Sequence, residues 1–333
     1  MVESRAPDCP TPLQGPRLVG DIGGTNARLG WQAHAGAPIE SVLTLPCAAH
    51  ASLEAAIRAY LTQTGQPMPV AASLGMANPV TGDAVAMTNH HWRFSVEGLR
   101  ASLGLSRLLV LNDFTALALA LPTLKADVLR PVGHGVAQER APKALLGAGT
   151  GLGVSGLLPR PQGGWTPLAG EGGHVSLAAQ TTEEFAVVQH LQAQHGHVSA
   201  ERVLSGAGLL ALYHALAQVQ GQTSAPLVHA ADVLQGAQDD PQGLAGQTLA
   251  MFCGFLGSVA GDLALILGAQ GGVYIGGGIV PRLGARFALS PFRARFEAKG
   301  RFRAYLQSIP VWVIDSPQSP ALEGAAQALD GPS

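Results

Sequence analysis

Five polar residues of this chain have side chains suited to a ligand with many hydroxyl groups. Asn112 and Asp113 follow the apolar run LLVL, Glu171 and His174 lie in GEGGHV, and Glu201 lies in SAERVLSG. Carboxylates accept several hydrogen bonds, and an imidazole donates or accepts one. An ordinary alternative exists for each: Asn-Asp before a helix is typical of an N-cap, and a lone glutamate is typical of a solvated surface. Only 13% of the residues are charged, which favours a ligand set.

Two glycine-hinged segments indicate phosphate binding. Residues 18–31 (LVGDIGGTNARLGW) and 145–158 (LLGAGTGLGVSGLL) each predict a β-hairpin with a Gly/Thr turn. Glycine permits positive φ and leaves no Cβ in the way, so successive N–H groups can converge on an anion. A third cluster, YIGGGIVPR, offers a flat surface for an adenine and its ribose. Together they predict a nucleoside triphosphate held between two related domains.

Asp21 ends the first apolar strand, where a carboxylate without a partner is unfavourable. Hydrated Mg²⁺ is one natural partner for its oxygens. The alternative is a Gly-Gly turn whose aspartate stabilises its own backbone. The P-loop signature GxxxxGK[ST] does not occur in the sequence, which excludes that class of NTPase.

The elements that must position these residues alternate between strand and helix, and 333 residues favour two domains. Ser52 is the expected N-cap of the first helix, and Ser319 that of the last, with Pro320 at the first helical position. Besides the two hairpins, strands are predicted at 41–46, 70–74, 108–111, 272–275 and 311–314, and helices at 53–62, 114–120, 183–194, 208–219, 247–267 and 321–329.

Composition and charge exclude several classes of partner. The net charge is −2 and no basic run occurs, so nucleic acid is not expected. The apolar stretch 251–280 is interrupted by glycines and by Asp262, and it predicts a buried helix and strand rather than a membrane span. Residues 1–16 lack an apolar core and predict a disordered extension rather than a signal peptide. Three widely spaced cysteines fit neither a disulfide framework nor a zinc site and favour a reducing cytoplasm.

Six motifs in this order carry a resemblance over residues 18–329: GDIGGTNARL, LNDFTA, GAGTGLG, GEGGHV, SAERVLSG and GGGIVPR. The chain resembles bacterial ATP-dependent glucokinases of the hexokinase/actin-like superfamily, and MTNHHW and FRARFEAKGRF match as well. The resemblance implies an α/β, two-domain actin-like ATPase (ribonuclease H-like) fold with a cleft. Its small domain would comprise 17–123 and 315–331, and its large domain 124–314. A homodimer is usual in such proteins.

The resemblance also implies roles for residues. Asp113 would be the catalytic base, and Asp21 would hold Mg²⁺ through an intervening water. The implied sugar ligands are Asn112, Asp113, Glu171, His174 and Glu201, with Asn89 as a further sugar-loop contact. The implied ATP contacts are Gly20, Asp21, Ile22, Gly23, Gly24, Thr25, Gly149, Thr150, Gly151, Gly276, Gly277 and Gly278.

The implied reaction transfers the γ-phosphoryl of MgATP to the 6-hydroxyl of glucose, at the entry to glycolysis. Structural zinc, found in the related repressor-kinase family, is not expected because GGHVSLAAQ contains no cysteine. Kinases of another hexose and kinases using polyphosphate remain alternatives. An actin-like ATPase would not need the sugar set, and a sugar-sensing regulator would need a DNA-binding module.

Overall fold

The computed structural model describes residues 1–5, 14–88, 90–223, 225 and 227–331. Its strands are β1 Val2–Arg5, β2 Arg17–Ile22, β3 Asn26–Gln32, β4 Ile39–Pro46, β5 Ala71–Met76, β6 Ala84–Ala86, β7 Arg93–Ser95, β8 Arg107–Asn112, β9 Leu129–Pro131, β10 Lys143–Ala148, β11 Leu152–Pro159, β12 Trp165–Ala169, β13 Val273–Gly276 and β14 Val311–Ile314. Its α-helices are α1 Leu53–Thr64, α2 Val96–Ser102, α3 Asp113–Ala120, α4 Thr182–His195, α5 Ala200–Val203, α6 Gly206–Val219, α7 Ala230–Asp239, α8 Leu244–Leu267, α9 Arg286–Leu289, α10 Phe292–Glu297, α11 Arg303–Ser308 and α12 Ala321–Asp330.

The chain forms two compact units. Unit 1 comprises Met1–Leu124, Arg160–Ala169 and Ser316–Ser333, and unit 2 comprises Lys125–Pro159 and Gly170–Asp315. The predicted division placed residues 160–169 in the large domain, whereas this segment belongs to unit 1.

Unit 1 contains a sheet of order β1-β8-β5-β2-β3-β4. Strands β2, β5 and β8 are parallel, and β3 returns antiparallel to β2 as the predicted hairpin. Their apolar side chains, such as those of Leu18, Leu74 and Val110, are fully buried in one core cluster. Val19 and Leu109, which point to the other face, are also fully buried. Burial of both faces is typical of parallel strands covered by helices.

Unit 2 repeats the arrangement. Its strands run in the order β11-β10-β13-β14-β9, with β10, β13 and β14 parallel and β11 antiparallel to β10. The second predicted hairpin is therefore confirmed, and each unit carries a hairpin beside parallel strands. Parallel strands end at one edge of a sheet, where α/β proteins place their binding sites.

Helix α8 is the long apolar segment. It is long and apolar enough to cross a membrane, yet 61% of its most apolar part is buried. Glycines let another helix approach it: a Cβ at Gly257 would collide with the carbonyl oxygen of Phe292, and one at Gly261 would come within 2.6 Å of that of Phe296. The fully buried strand β13 follows. The predicted buried helix and strand are confirmed.

Two predictions about the chain ends are wrong. Residues 2–5, expected to be disordered, form β1 at the edge of the sheet, antiparallel to β8. Glu3 and Arg107 form an ion pair of 2.9 Å across this pair of strands. Ser319 does not cap α12, whose side-chain cap is absent; its Oγ donates instead to Asp21 Oδ2 at 2.6 Å. The Ser319 hydroxyl thus binds a carboxylate that is distant in the sequence and does not cap the helix.

The predicted N-cap of α1 is confirmed. Ser52 Oγ accepts a hydrogen bond from Ala55 N at 3.1 Å, as an N-cap should, and Gly65 ends α1 with a φ of 67°. The helices and short strands that the sequence patterns did not predict are α2, α5, α7, α9, α10, α11, β6, β7, β9 and β12.

Candidate active site

Two carboxylates of unit 1 lie at the same edge of its sheet. Asp21 is in β2, Gly75 pairs with it in β5, and Leu111 pairs with Gly75 in β8, two residues before Asp113. A Cβ at Gly75 would lie 3.1 Å from the Cβ of Ala116. The glycine therefore allows the start of α3, which carries Asp113, to approach the sheet closely.

The start of α3 uses both predicted polar residues. Asn112 Oδ1 accepts hydrogen bonds from Phe114 N at 2.9 Å and Thr115 N at 3.2 Å, so the N-cap interpretation is correct for this residue. Asp113 Oδ1 accepts from Phe114 N at 2.8 Å. Asn112 Nδ2 donates to Asn78 O at 3.5 Å. The cap and the ligand interpretations are compatible, because the cap occupies only the oxygen of Asn112.

The environment of Asp113 makes it a stronger base than an ordinary aspartate. Burial is the main cause that raises the pKa of Asp113 from 3.8 to about 6. The hydrogen bond from Phe114 N lowers this pKa, and the negative charge of Asp21 raises it. A carboxylate of this pKa remains mostly ionised at neutral pH and accepts a proton readily. Neither the pKa nor the proximity to Asp21 could be read from the sequence.

Asp21 itself has two partners on one oxygen. Oδ2 accepts from Ser319 Oγ and lies 3.5 Å from Arg28 Nη1, and 24% of the side chain is exposed. Within the described residues no group of three His, Cys, Asp or Glu side chains could enclose a metal. Mg²⁺ usually takes one or two carboxylates and completes its shell with water and phosphate oxygens. One partly exposed carboxylate at a turn that is predicted to bind phosphate fits that mode.

Backbone hydrogen bonds and contacts of Cys47 stabilise the first hairpin turn. Gly23 N donates to Asn26 O at 2.9 Å and closes the turn. Cys47 holds it twice, with its N–H donating to Thr25 O at 2.8 Å and its Sγ lying 3.4 Å from Gly23 O. Burial raises the pKa of the Cys47 thiol, which keeps it a neutral donor. Gly24 remains partly accessible and Thr25 exposed. A lone cysteine in the sequence gave no signal of this supporting role.

In unit 2 the second and third glycine clusters meet. A Cβ at Gly147 would collide with the backbone of Gly276, and one at Gly277 with the backbone of Ala148. Gly277 has a φ of 78°, which strongly favours glycine. Ile279 N donates to Ala148 O at 3.1 Å. The two clusters form one glycine surface, with Gly278 exposed.

The loop that carries Glu171 and His174 packs on the same hairpin. A Cβ at Gly172 would come within 2.7 Å of Val154, and one at Gly173 would collide with the carbonyl oxygen of Leu152. The two glycines thus hold the loop against β11, and both the carboxylate and the imidazole remain exposed.

Glu201 reaches the hairpin from α5. Its Oε2 accepts a hydrogen bond from Leu152 N at 2.8 Å. Ala200 N donates to Val175 O at 2.8 Å and so joins α5 to the loop of His174. Unit 2 therefore gathers three of the predicted sugar ligands around the second hairpin.

The predicted residues divide between the units. Unit 1 holds Asn112, Asp113 and the first glycine turn with Asp21. Unit 2 holds Glu171, His174, Glu201 and the other two glycine clusters. Asn89 lies outside the described residues. Each half combines a glycine-rich turn with carboxylates, and the ligand roles themselves remain predictions.

The chain is similar to known glucokinases over nearly its whole length. The glucokinase family model matches residues 18–331. A glucokinase of Aromatoleum aromaticum is 55% identical over 317 residues, which are 95% of each chain. The crystal structure of a glucokinase from an Antarctic psychrotroph is 39% identical, with a TM-score of 0.86 over 96% of this chain and 99% of that one.

A more distant solved structure shares the fold. It is a ROK family glucokinase from Streptomyces griseus in complex with glucose and AMPPNP, 21% identical, with a TM-score of 0.56 over 94% of this chain and 99% of that one. The predicted actin-like ATPase fold is confirmed by these structural relatives.

Proposed function

The chain belongs to the glucokinase family and is an ATP-dependent hexose kinase, and we propose that Asp113 is the general base of its reaction. In that reaction the oxygen of the 6-hydroxyl of glucose attacks the γ-phosphorus of ATP. The bond from that phosphorus to the β,γ-bridging oxygen breaks, and ADP leaves. The hydroxyl proton passes to the carboxylate of Asp113. The products are glucose 6-phosphate and ADP.

The raised pKa of Asp113 carries this proposal. At about 6 it lies close to neutral pH, where a base combines ionisation with affinity for the proton. The hydrogen bond from Phe114 N to Oδ1 fixes the carboxylate at the start of α3. Oδ2 is then the oxygen that would receive the proton.

The remaining predicted residues bind and orient. Asn112 Nδ2, Glu171, His174 and Glu201 would hold the sugar hydroxyls, with Asn89 as a further contact. The turns at 20–25 and 149–151 would bind phosphate oxygens, and Gly276–Gly278 would contact the adenosine. Asp21 would hold Mg²⁺ through water, and the bound ion supplies positive charge to the phosphates. Positioning and charge compensation account for most catalysis of phosphoryl transfer.

A coupled assay of ADP production tests the proposal. Glucose, mannose, fructose and N-acetylglucosamine are each supplied with ATP or polyphosphate, and we expect the highest rate with glucose and ATP. Asp113→Asn should lower kcat by about 10² or more, the usual contribution of a positioned base, with a smaller change in KM for glucose. The exposed Asp127→Asn is the matched control. Near-normal turnover of Asp113→Asn would reduce the residue to a helix-terminal contact.

Family membership also supports a proposal about assembly and location. We expect a homodimer in the cytoplasm, with no nucleic-acid or membrane partner. Light scattering of the purified protein at micromolar concentration measures the first, and fractionation of the cells measures the second. A strictly monomeric active enzyme would contradict the homodimer.

A further inference from the structure

Glu201 contacts the second hairpin at the start of its second strand, β11. Leu152 is the first residue of β11 and follows the turn 149–151 directly. Its N–H donates to Glu201 Oε2 at 2.8 Å. Glu201 is half-buried, and a charge-assisted hydrogen bond of this length holds its partner more firmly than a neutral one. The position of the hairpin turn therefore depends on this carboxylate.

Gly151 independently indicates that this contact is built into the site. Its φ lies outside the left-handed region, so the backbone itself does not require glycine. A Cβ at this position would collide with Glu201 Oε2 and lie 3.2 Å from Cδ. The missing side chain makes room for the carboxylate. A glycine whose sequence pattern indicates phosphate binding also serves the approach of Glu201.

The turn is held on its other side by α6. Gly206 N donates to Gly149 O at 2.8 Å, and Gly149 N donates to Gly151 O at 2.8 Å. The contact with Gly206 thus lies before the tip of the turn, and the contact between Leu152 and Glu201 lies after it. Among the described residues, Glu201 Oε1 accepts no hydrogen bond, so this second oxygen can receive a sugar hydroxyl.

We propose that Glu201 is a positioning residue for ATP as well as a sugar ligand. Oε2 fixes the second phosphate hairpin while Oε1 binds the sugar, and one carboxylate thereby couples the two affinities. A sugar that orients Oε1 also orders the Leu152 amide, so glucose should tighten ATP binding, and ATP should tighten glucose binding by the same factor. This inference rests on the proposed function, because it takes the hairpin as a phosphate site.

Two substitutions at Glu201 separate its two contacts. In Glu201→Gln the amide oxygen can still accept from Leu152 N, while the amide nitrogen places a donor where Oε1 stood. Glu201→Ala removes both contacts. The affinity for a non-hydrolysable ATP analogue is measured by calorimetry without sugar. We expect Glu201→Gln to bind it within about twofold of the wild type and Glu201→Ala to bind it about five- to tenfold more weakly, the effect of one hydrogen bond. Both should bind glucose weakly.

Glu171→Ala is the matched control, because that carboxylate is predicted to bind the sugar and is exposed. It should weaken glucose binding and leave the sugar-free analogue affinity unchanged. Gly151→Ala, which displaces the carboxylate from the opposite side, should reproduce the analogue affinity of Glu201→Ala. The double variant Gly151→Ala/Glu201→Ala should bind the analogue no more weakly than either single variant.

The outcomes separate this inference from the proposed function. Equal analogue affinities in wild type, Glu201→Gln and Glu201→Ala would overturn the coupling and leave Glu201 a sugar ligand alone. An equal loss in both variants would also overturn it, because the retained acceptor would then have no effect. A wild-type protein that neither phosphorylates glucose nor binds the analogue would contradict the proposed function instead.

Discussion

Replacing Asp113 with Asn should stabilise the protein near neutral pH while removing most of its activity. Burial raises the pKa of this carboxyl from 3.8 to about 6. A raised pKa means that the folded state holds the proton more tightly than the unfolded state. The contribution to stability is therefore complete below about pH 4 and is lost as the pH rises through about 6.

The size of the effect follows from the shift. Two pKa units correspond to about 3 kcal/mol, of which roughly half is lost between pH 5 and pH 8. The Asn side chain does not ionise, and its oxygen can keep the 2.8 Å hydrogen bond from Phe114 N. Asp113→Asn should thus exceed the wild type in free energy of unfolding by up to about 3 kcal/mol at pH 8, and by less at pH 5.

Urea unfolding of both proteins at pH 5, 6.5 and 8 measures this difference. Asp127→Asn, at an exposed position, should show no comparable rise with pH. The reasoning would be refuted by a variant less stable than the wild type at pH 8, or by a stability difference that does not change with pH.

Three further substitutions test the site. Asp21→Asn should move the acid limb of kcat/KM for glucose to lower pH, since the charge of Asp21 raises the pKa of Asp113; an unmoved limb would show that the two groups do not interact. Glu171→Gln should raise KM for glucose and leave ATP binding intact, whereas parallel loss of both would indicate a folding defect. Gly173→Ala should lower Tm and raise KM for glucose, because its Cβ would collide with the Leu152 carbonyl oxygen; an unchanged Tm would contradict the packing.

The sequence predicted the elements whose signals are local. Both hairpins depend on apolar strands flanking glycine turns, and α1 depends on Ser52 three residues before the amide that it caps. These signals lie within a few residues of one another. The glycine hairpins could therefore be predicted without the tertiary structure, whereas the ligand roles of the polar residues stay predictions.

Long-range contacts were beyond such reasoning. Ser319 stands where the sequence pattern predicts an N-cap, but its hydroxyl donates to Asp21, 298 residues away. The short polar strand β1 forms because β8 offers it an edge. The interaction of Asp21 with Asp113 requires the parallel order of β2, β5 and β8, which no local pattern contains.

Helix α12 has a consequence for how the protein is made. A Cβ at Gly324 would collide with the carbonyl oxygen of Ala116, so the last helix lies directly on α3. Arg107 Nη1 also donates to Leu329 O at 2.9 Å. The ribosome adds about 5–20 residues per second, and α3 is translated some 200 residues before α12. Unit 1 therefore cannot finish folding until α12 has been translated, and the face of its sheet that α12 covers stays bare throughout the translation of unit 2.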